Sequence, residues 1–114
     1  MRSQLLLLAA GVAFVAACKS STSPSGGGHS TTISVENNFF SPTPDTVPVG
    51  QVTFTWATPS NGHNVTWDQA PGTLPANSAT MGSGTYSATL QAGTYRYHCS
   101  IHVAQGMSGT IVVQ

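Results

Sequence analysis

The 114-residue chain is poor in charged residues, which make up only 5% of it. Three basic residues balance three acidic ones, so the formal net charge is zero when histidine is neutral. Nucleic-acid binding needs clustered basic side chains, and this composition excludes it. It equally excludes an acidic docking face. We therefore expect the protein to bind protein partners through a neutral or apolar surface, with little long-range electrostatic steering.

The chain also lacks an apolar run of the length that crosses a bilayer. The run at residues 5–17 has 13 residues, whereas a transmembrane helix needs about 20. Arg2 precedes this run and small residues end it, which is typical of a secretory signal peptide. We predict that residues 1–17 are such a peptide and that the protein is exported.

Cysteine is scarce, with only Cys18 and Cys99 in the chain. The sequence VAAC at residues 15–18 resembles the bacterial lipobox, in which the cysteine becomes the lipidated first residue of the mature protein. An ordinary signal peptide that happens to contain Cys18 is the alternative. If Cys18 carries lipid, Cys99 is a lone thiol in an oxidising compartment, which indicates metal ligation or reactivity. A Cys18–Cys99 disulfide is disfavoured, because it would join a flexible tail to a residue deep in the domain.

Residues 18–30 are predicted to be a lipid-bearing, flexible tether. Nine of the twelve positions 19–30 are Ser, Thr or Gly, and such a segment reaches about 19 Å. His29 lies in it and is expected to be solvated. The tether would attach one domain, residues 31–114, to a membrane on the periplasmic or cell-surface side. That membrane is the outer one if the cell is Gram-negative.

From Thr31 onward, apolar and polar residues alternate with the period of half-buried β-strands. Val52, Phe54 and Trp56 show this most clearly. Other strands are predicted near residues 33–35, 86–90, 94–98 and 108–113. Residues 68–84 are expected to form a variable loop or to hold a short helix. Several short strands separated by Gly- and Pro-bearing turns indicate an all-β sandwich.

A C-x2-H-x4-M motif, formed by Cys99, His102 and Met107, lies between the last two predicted strands. His63 stands 36 residues before the cysteine. Taken singly, a buried thiol, a loop histidine and a core methionine are ordinary structural residues. Together, two imidazoles, one thiolate and one thioether are the ligand set of electron-transfer copper sites. Thiolate and thioether suit Cu(I) and imidazole suits Cu(II), so we predict one copper ion per chain.

Two further candidates are not predicted to be ligands. His98 precedes Cys99 on the same strand, so its side chain should leave the opposite face. Met81 lies in the uncertain loop.

These residues resemble the cupredoxins of the plastocyanin/azurin type, over essentially all of residues 31–114. The C-x2-H-x4-M spacing matches plastocyanin, Gly62-His63-Asn64 matches the upstream histidine motif, and the sequence GTIVV at residues 109–113 matches the final strand. The resemblance implies a Greek-key β-sandwich of seven or eight strands with a type 1 (blue) copper site that shuttles single electrons. Met107 would be the long axial ligand.

The resemblance also implies contacts around the ligands. Asn64 and Ser100 occupy the places of two residues that bond across the ligand loops. In some members the carbonyl before the first histidine lies near the metal, and Gly62 is the matching residue. The acidic patches of plant plastocyanins are missing here, so we expect redox partners to dock on an apolar face around His102. That face comprises Ile101, Val103, Ala104 and Gly106.

Three functions are compared on these residues. Electron transfer is favoured, because four protein ligands leave no open position for a substrate. A membrane-tethered copper carrier or storage module could use the same ligands, but the domain shows no further cluster of Met and His. An enzyme with Cys99 as a nucleophile activated by His102 would lack an orienting third group and would leave Met107 and His63 unexplained. We therefore predict a protein that is not an enzyme and that acts as a monomer.

Overall fold

The computed structural model describes residues 28–57 and 62–114. The predicted signal peptide, the predicted lipidation site Cys18 and residues 19–27 of the predicted tether lie outside these ranges. Within the described ranges, no helix has the length and apolar character needed to cross a membrane.

The described residues form eight β-strands in two four-stranded sheets. In chain order the strands are β1 (Thr32–Glu36), β2 (Phe39–Ser41), β3 (Asp45–Val47), β4 (Gly50–Trp56), β5 (Thr66–Gln69), β6 (Gly84–Leu90), β7 (Gly93–His98) and β8 (Ser108–Val113). One sheet has the order β2-β1-β4-β6 and the other β3-β8-β7-β5. The β1–β4 and β3–β8 pairs are parallel, and the other pairs are antiparallel. The predicted all-β Greek-key sandwich is confirmed.

Alternation of side chains places the core between the two sheets. On β4, Val52, Phe54 and Trp56 are buried while the residues between them are partly exposed. On β7, Tyr95 and Tyr97 are buried, and Cys99 continues the same parity just beyond the strand. The ring of Tyr97 makes edge contacts with Phe54, with centroids 5.2 Å apart. Period-two burial of this kind is what the sequence pattern predicted.

Three short strands, β2, β3 and β5, were not predicted. Each has only three or four residues, and each is formed by pairing with a partner strand. β3 lies parallel to β8, with Asp45 opposite Ile111. β5 lies antiparallel to β7, with Trp67 opposite Tyr97. Such pairing is a tertiary effect that local propensity does not reveal.

The segment 70–83, which joins β5 to β6, contains no helix. It turns back and runs beside β5, where Ser78 N donates to Val65 O at 3.0 Å. Trp67 N donates to the Asn77 side-chain oxygen at 2.9 Å. The predicted variable loop therefore lies along the edge of β5, and its Asn77 side chain accepts the Trp67 N–H there.

The last residues of the predicted tether are bonded to the domain. Gly28 N donates to Pro44 O at 2.9 Å, and Thr46 N donates to Gly28 O at 2.8 Å. Ser30 N donates to a carboxyl oxygen of the buried Asp45 at 2.9 Å. The hydrogen-bonded part of the chain thus begins at least three residues before the predicted domain boundary.

Candidate metal centre

The connection between β7 and β8 holds three of the four predicted copper ligands in a short, bonded loop. Cys99 N donates to Met107 O at 2.9 Å, which closes the loop across its base. His102 N donates to Cys99 O at 3.2 Å, and Met107 N donates to His102 O at 3.3 Å. A 3₁₀ turn, Val103–Gln105, fills the loop. The paired strands on both sides thus fix where these three residues stand.

His63, in the connection between β4 and β5, lies beside this loop. It forms an isolated bridge with Met81, in which each backbone N donates to the other residue's carbonyl at 2.9 Å. The indole N–H of Trp56, at the end of β4, donates to His63 O at 3.2 Å. His63 is only 1% exposed. Its main chain is therefore held both by Met81 of the segment 70–83 and by Trp56 of β4, and its ring lies inside the fold.

Three donor atoms, from His63, Cys99 and His102, lie close together where the β4–β5 and β7–β8 connections meet. Nδ1 of His63 lies 3.0 Å from Nδ1 of His102, and Cys99 Sγ lies 3.8 Å from the former and 3.6 Å from the latter. A point equidistant from atoms with these separations lies about 2.0 Å from each, close to the roughly 2.0–2.3 Å that protein nitrogen and sulfur ligands keep from zinc, an ion of similar size. The triangle therefore fits one transition-metal ion, and its His₂Cys composition is that of a type 1 copper site.

Met107 lies at the base of the loop that carries Cys99 and His102. It is fully buried, and its backbone binds both Cys99 and His102. We still predict that its thioether is the long axial ligand. The Gly62 carbonyl stays a predicted further weak ligand. Gly62 is buried and has a φ of 114°, a conformation that favours glycine.

The surroundings of His63 favour the neutral form of its ring, which is the form that binds a metal ion. Burial lowers the pKa of the His63 imidazole, and the neighbouring His102 ring lowers it further. Both effects disfavour the imidazolium form. A neutral ring keeps one nitrogen lone pair, which is the group that binds a metal ion.

Asn64 and Ser100 join the two ligand loops directly. The amide nitrogen of Asn64 donates to Ser100 Oγ at 2.8 Å, and Ser100 N donates to Asn64 Oδ1 at 2.9 Å. The same amide nitrogen also donates to Thr80 Oγ1 at 3.0 Å. These are the residues that the resemblance placed opposite each other. Their bonds tie the residue after His63 to the residue after Cys99.

His98 lies outside the cluster of donor atoms. Its Nδ1 forms a hydrogen bond of 2.7 Å with a carboxylate oxygen of Asp68 on β5. Because it precedes Cys99 on a strand, its side chain leaves the opposite face of the sheet, as predicted.

Sequence reasoning missed two contributors to the site. Asn37, in the turn after β1, accepts a hydrogen bond of 3.2 Å from Nε2 of His63. Met81 contributes its backbone to the bridge with His63. Neither belongs to a motif or lies near a ligand in sequence. For Asn37, the only local signal is the Asn-Asn pair between Glu36 and Phe39, which predicts a turn and no more.

Comparisons with known proteins agree with this geometry. A family model of copper-binding proteins, the plastocyanin/azurin family, matches residues 27–114. Among solved structures, oxidised plastocyanin from Dryopteris crassirhizoma is 25% identical with a TM-score of 0.63, covering 73% of this chain and 99% of that one. The purple cupredoxin of Nitrosopumilus maritimus is 25% identical with a TM-score of 0.60, covering 73% and 98%. Comparison with curated proteins found no match.

An enzyme also appears among the similar structures. The copper-containing nitrite reductase from Thermus scotoductus is 26% identical with a TM-score of 0.60. The match covers 88% of this chain but only 25% of the reductase.

The β-sandwich with a His₂Cys triangle at one end defines a mononuclear copper protein of the cupredoxin class. The chain belongs to the copper-binding plastocyanin/azurin family.

Proposed function

We propose that this protein carries single electrons through one copper ion held by His63, Cys99, His102 and Met107. The observation that carries the proposal is the convergence of two imidazole nitrogens and one thiol sulfur within 4.8 Å of one another, in a protein of a copper-binding family. When bound, copper supplies the chemistry by alternating between Cu(I) and Cu(II), both of which this ligand set accommodates.

The protein's contribution is to hold the donor atoms in place. His63 is fixed through its bridge to Met81, and Cys99 is fixed through its bond to Met107 at the base of a hairpin. The hydrogen bonds between Asn64 and Ser100 lock the two loops together. A rigid site of this kind keeps its geometry when the charge of the metal changes, so little rearrangement opposes the arrival or departure of an electron.

We further propose that electrons pass through the His102 edge. Cys99 is completely buried and His63 almost so, whereas His102 is partly exposed. Ile101 and Val103 beside it are 51% and 57% exposed. These two residues, with Ala104 and Gly106, form an uncharged face that suits a redox protein with an apolar docking patch. Binding there should depend little on salt, because no charged side chain belongs to the face.

The non-enzymatic character of the protein is part of the proposal. Four protein ligands would fill the coordination of the metal, whereas catalytic sites keep an open position. The match to nitrite reductase covers one quarter of that enzyme, so it supports a shared copper domain and does not extend the enzyme's activity to this chain.

The export and lipid attachment of the protein remain proposals from sequence. Cys18 as the lipidated first residue would hold the domain at a membrane, on the periplasmic or cell-surface side. Mass spectrometry of the protein extracted from membranes tests this directly. The expected mass is that of a chain beginning at Cys18 with attached acyl chains. A water-soluble chain with an unmodified Cys18 would contradict it.

One experiment separates electron transfer from copper carriage. Electron self-exchange is measured by NMR line broadening in mixtures of oxidised and reduced protein, and copper loss is measured against a Cu(I) chelator. We expect fast self-exchange and slow copper loss. Val103→Asp should slow self-exchange by placing a charge on the docking face while leaving copper loss unchanged. Slow self-exchange with fast copper loss would instead identify a carrier.

A further inference from the structure

The ring of His63 has a partner on the side away from the donor triangle. Its Nε2 lies 3.2 Å from Oδ1 of Asn37, while its Nδ1 faces Cys99 Sγ and His102 Nδ1. An amide oxygen can only accept a hydrogen bond. Nε2 must therefore carry the ring proton, and Nδ1 of the neutral ring is left with the lone pair.

The turn that carries Asn37 is itself fixed to the His63 region. Glu36 and Phe39 pair across the β1–β2 hairpin, so Asn37 and Asn38 are the two turn residues. Asn38 has a φ of 73°, which asparagine tolerates better than most residues. Next to the turn, Val35 pairs with Trp56, whose indole binds the His63 carbonyl. The amide of Asn37 is thus presented by a paired hairpin close to the histidine that it contacts.

Apart from the contacts of Nδ1 within the donor triangle, the other supports of His63 act on its main chain. The bridge to Met81 and the bond from Trp56 both use backbone atoms of His63. They set where the residue stands but do not decide which ring nitrogen carries the proton. They also leave open rotation of the ring about its terminal side-chain torsion, which is intrinsically broad. The Asn37 oxygen distinguishes the two ring nitrogens.

We propose that Asn37 is a positioning residue for the copper site, which fixes His63 in the Nε2–H tautomer and directs Nδ1 at the metal. The proposal rests on the proposed function only in taking His63 as a copper ligand. Hydrogen-bond partners behind ligating histidines orient the ring and hold its tautomer, and their loss typically lowers metal affinity by about 10- to 100-fold.

The first test uses the metal-free protein. ¹⁵N chemical shifts of the His63 ring report which nitrogen is protonated. We expect the Nε2–H tautomer alone in the wild type and a mixture of tautomers in Asn37→Leu. Asn37→Asp keeps an acceptor oxygen and should keep the single tautomer. A wild-type His63 protonated on Nδ1 would overturn the proposal even if every variant failed to fold, and so would an Asn37→Leu spectrum identical to that of the wild type.

The second test measures copper affinity by competition with a chelator. Asn37→Leu should bind copper about 10- to 100-fold more weakly, and Asn37→Asp should restore most of the loss. Asn38→Gly is the matched control, because glycine adopts the positive φ of that position and leaves Asn37 in place. Equal losses in Asn37→Leu and Asn38→Gly, or no loss in Asn37→Leu, would overturn the proposal. Slow electron self-exchange would overturn the proposed function and leave both of these results unaffected.

Discussion

Replacing Asn64 with alanine should destabilise the metal-free fold more than any ordinary polar substitution at the surface. The side chain is only 6% exposed and takes part in four hydrogen bonds. Its amide nitrogen donates to Thr80 Oγ1 and Ser100 Oγ, at 3.0 and 2.8 Å. Its oxygen accepts from Ser100 N and Thr66 Oγ1, at 2.9 and 3.0 Å. One amide thus connects both ligand loops and the segment that follows β5.

The size of the loss follows from these bonds. A hydrogen bond contributes about 1 kcal/mol net, which gives about 4 kcal/mol for four of them. The hydroxyls of Thr66 and Thr80 can turn to water, so we expect a loss of about 3 kcal/mol in the free energy of unfolding. For a domain of this size, that lowers the melting temperature by roughly 12–24 °C.

Urea unfolding of the metal-free protein, followed by tryptophan fluorescence, measures the loss without the stabilisation that bound metal adds. Asn77→Ala is the matched control, because Asn77 is exposed and accepts one hydrogen bond, from Trp67 N at 2.9 Å. It should cost about 1 kcal/mol. If Asn64→Ala lowered the free energy of unfolding no more than this control, the four hydrogen bonds of Asn64 would not stabilise the fold as calculated, and this prediction would be refuted.

Three further changes test other parts of the structure. Met107→Leu should keep copper but raise the reduction potential measured by voltammetry, since the axial ligand tunes the potential; complete loss of copper would contradict the axial role. Asp45→Asn tests a carboxyl whose pKa burial raises above its ordinary value. The fold favours the protonated acid, so the wild type should lose stability relative to Asp45→Asn as the pH of urea titrations rises above about 4, and a pH-independent difference would be contrary to this account. Gly109→Ala should cost about 1–3 kcal/mol by overpacking, because its Cβ would lie 2.3 Å from the ring of Tyr97. Gly72→Ala, where a Cβ meets nothing within 4 Å, is its control in the same thermal melts, and equal effects of the two would count against the packing argument.

The long strands could be predicted from sequence, and the short ones could not. On β4 the apolar residues Val52, Phe54 and Trp56 alternate over enough positions to specify both the strand and its buried face. β3 has three residues and is formed by its parallel pairing with β8, more than sixty positions later in the chain. No local pattern records such a pairing. For the same reason, the sequence did not reveal that the carboxyl group of Asp45 is buried and accepts a hydrogen bond from Ser30 N.

The site divides in a similar way. Cys99, His102 and Met107 lie within nine consecutive residues, so a local sequence motif is enough to identify them as candidate copper ligands. His63 was predicted as the second imidazole that this ligand set needs, and its Gly-His-Asn context, which matches the upstream histidine motif of the family, supported the prediction. Asn37 could not be found, because it meets His63 across 26 positions through a turn whose sequence predicts only a turn.

The visible absorption spectrum of the purified protein after addition of Cu(II) tests the central claim most directly. We expect an intense thiolate-to-copper band that disappears in Cys99→Ser and persists in Cys18→Ser, which removes the other cysteine of the chain. A colourless or faintly coloured protein, or a band that survives in Cys99→Ser, would contradict a copper site built on the thiolate of Cys99.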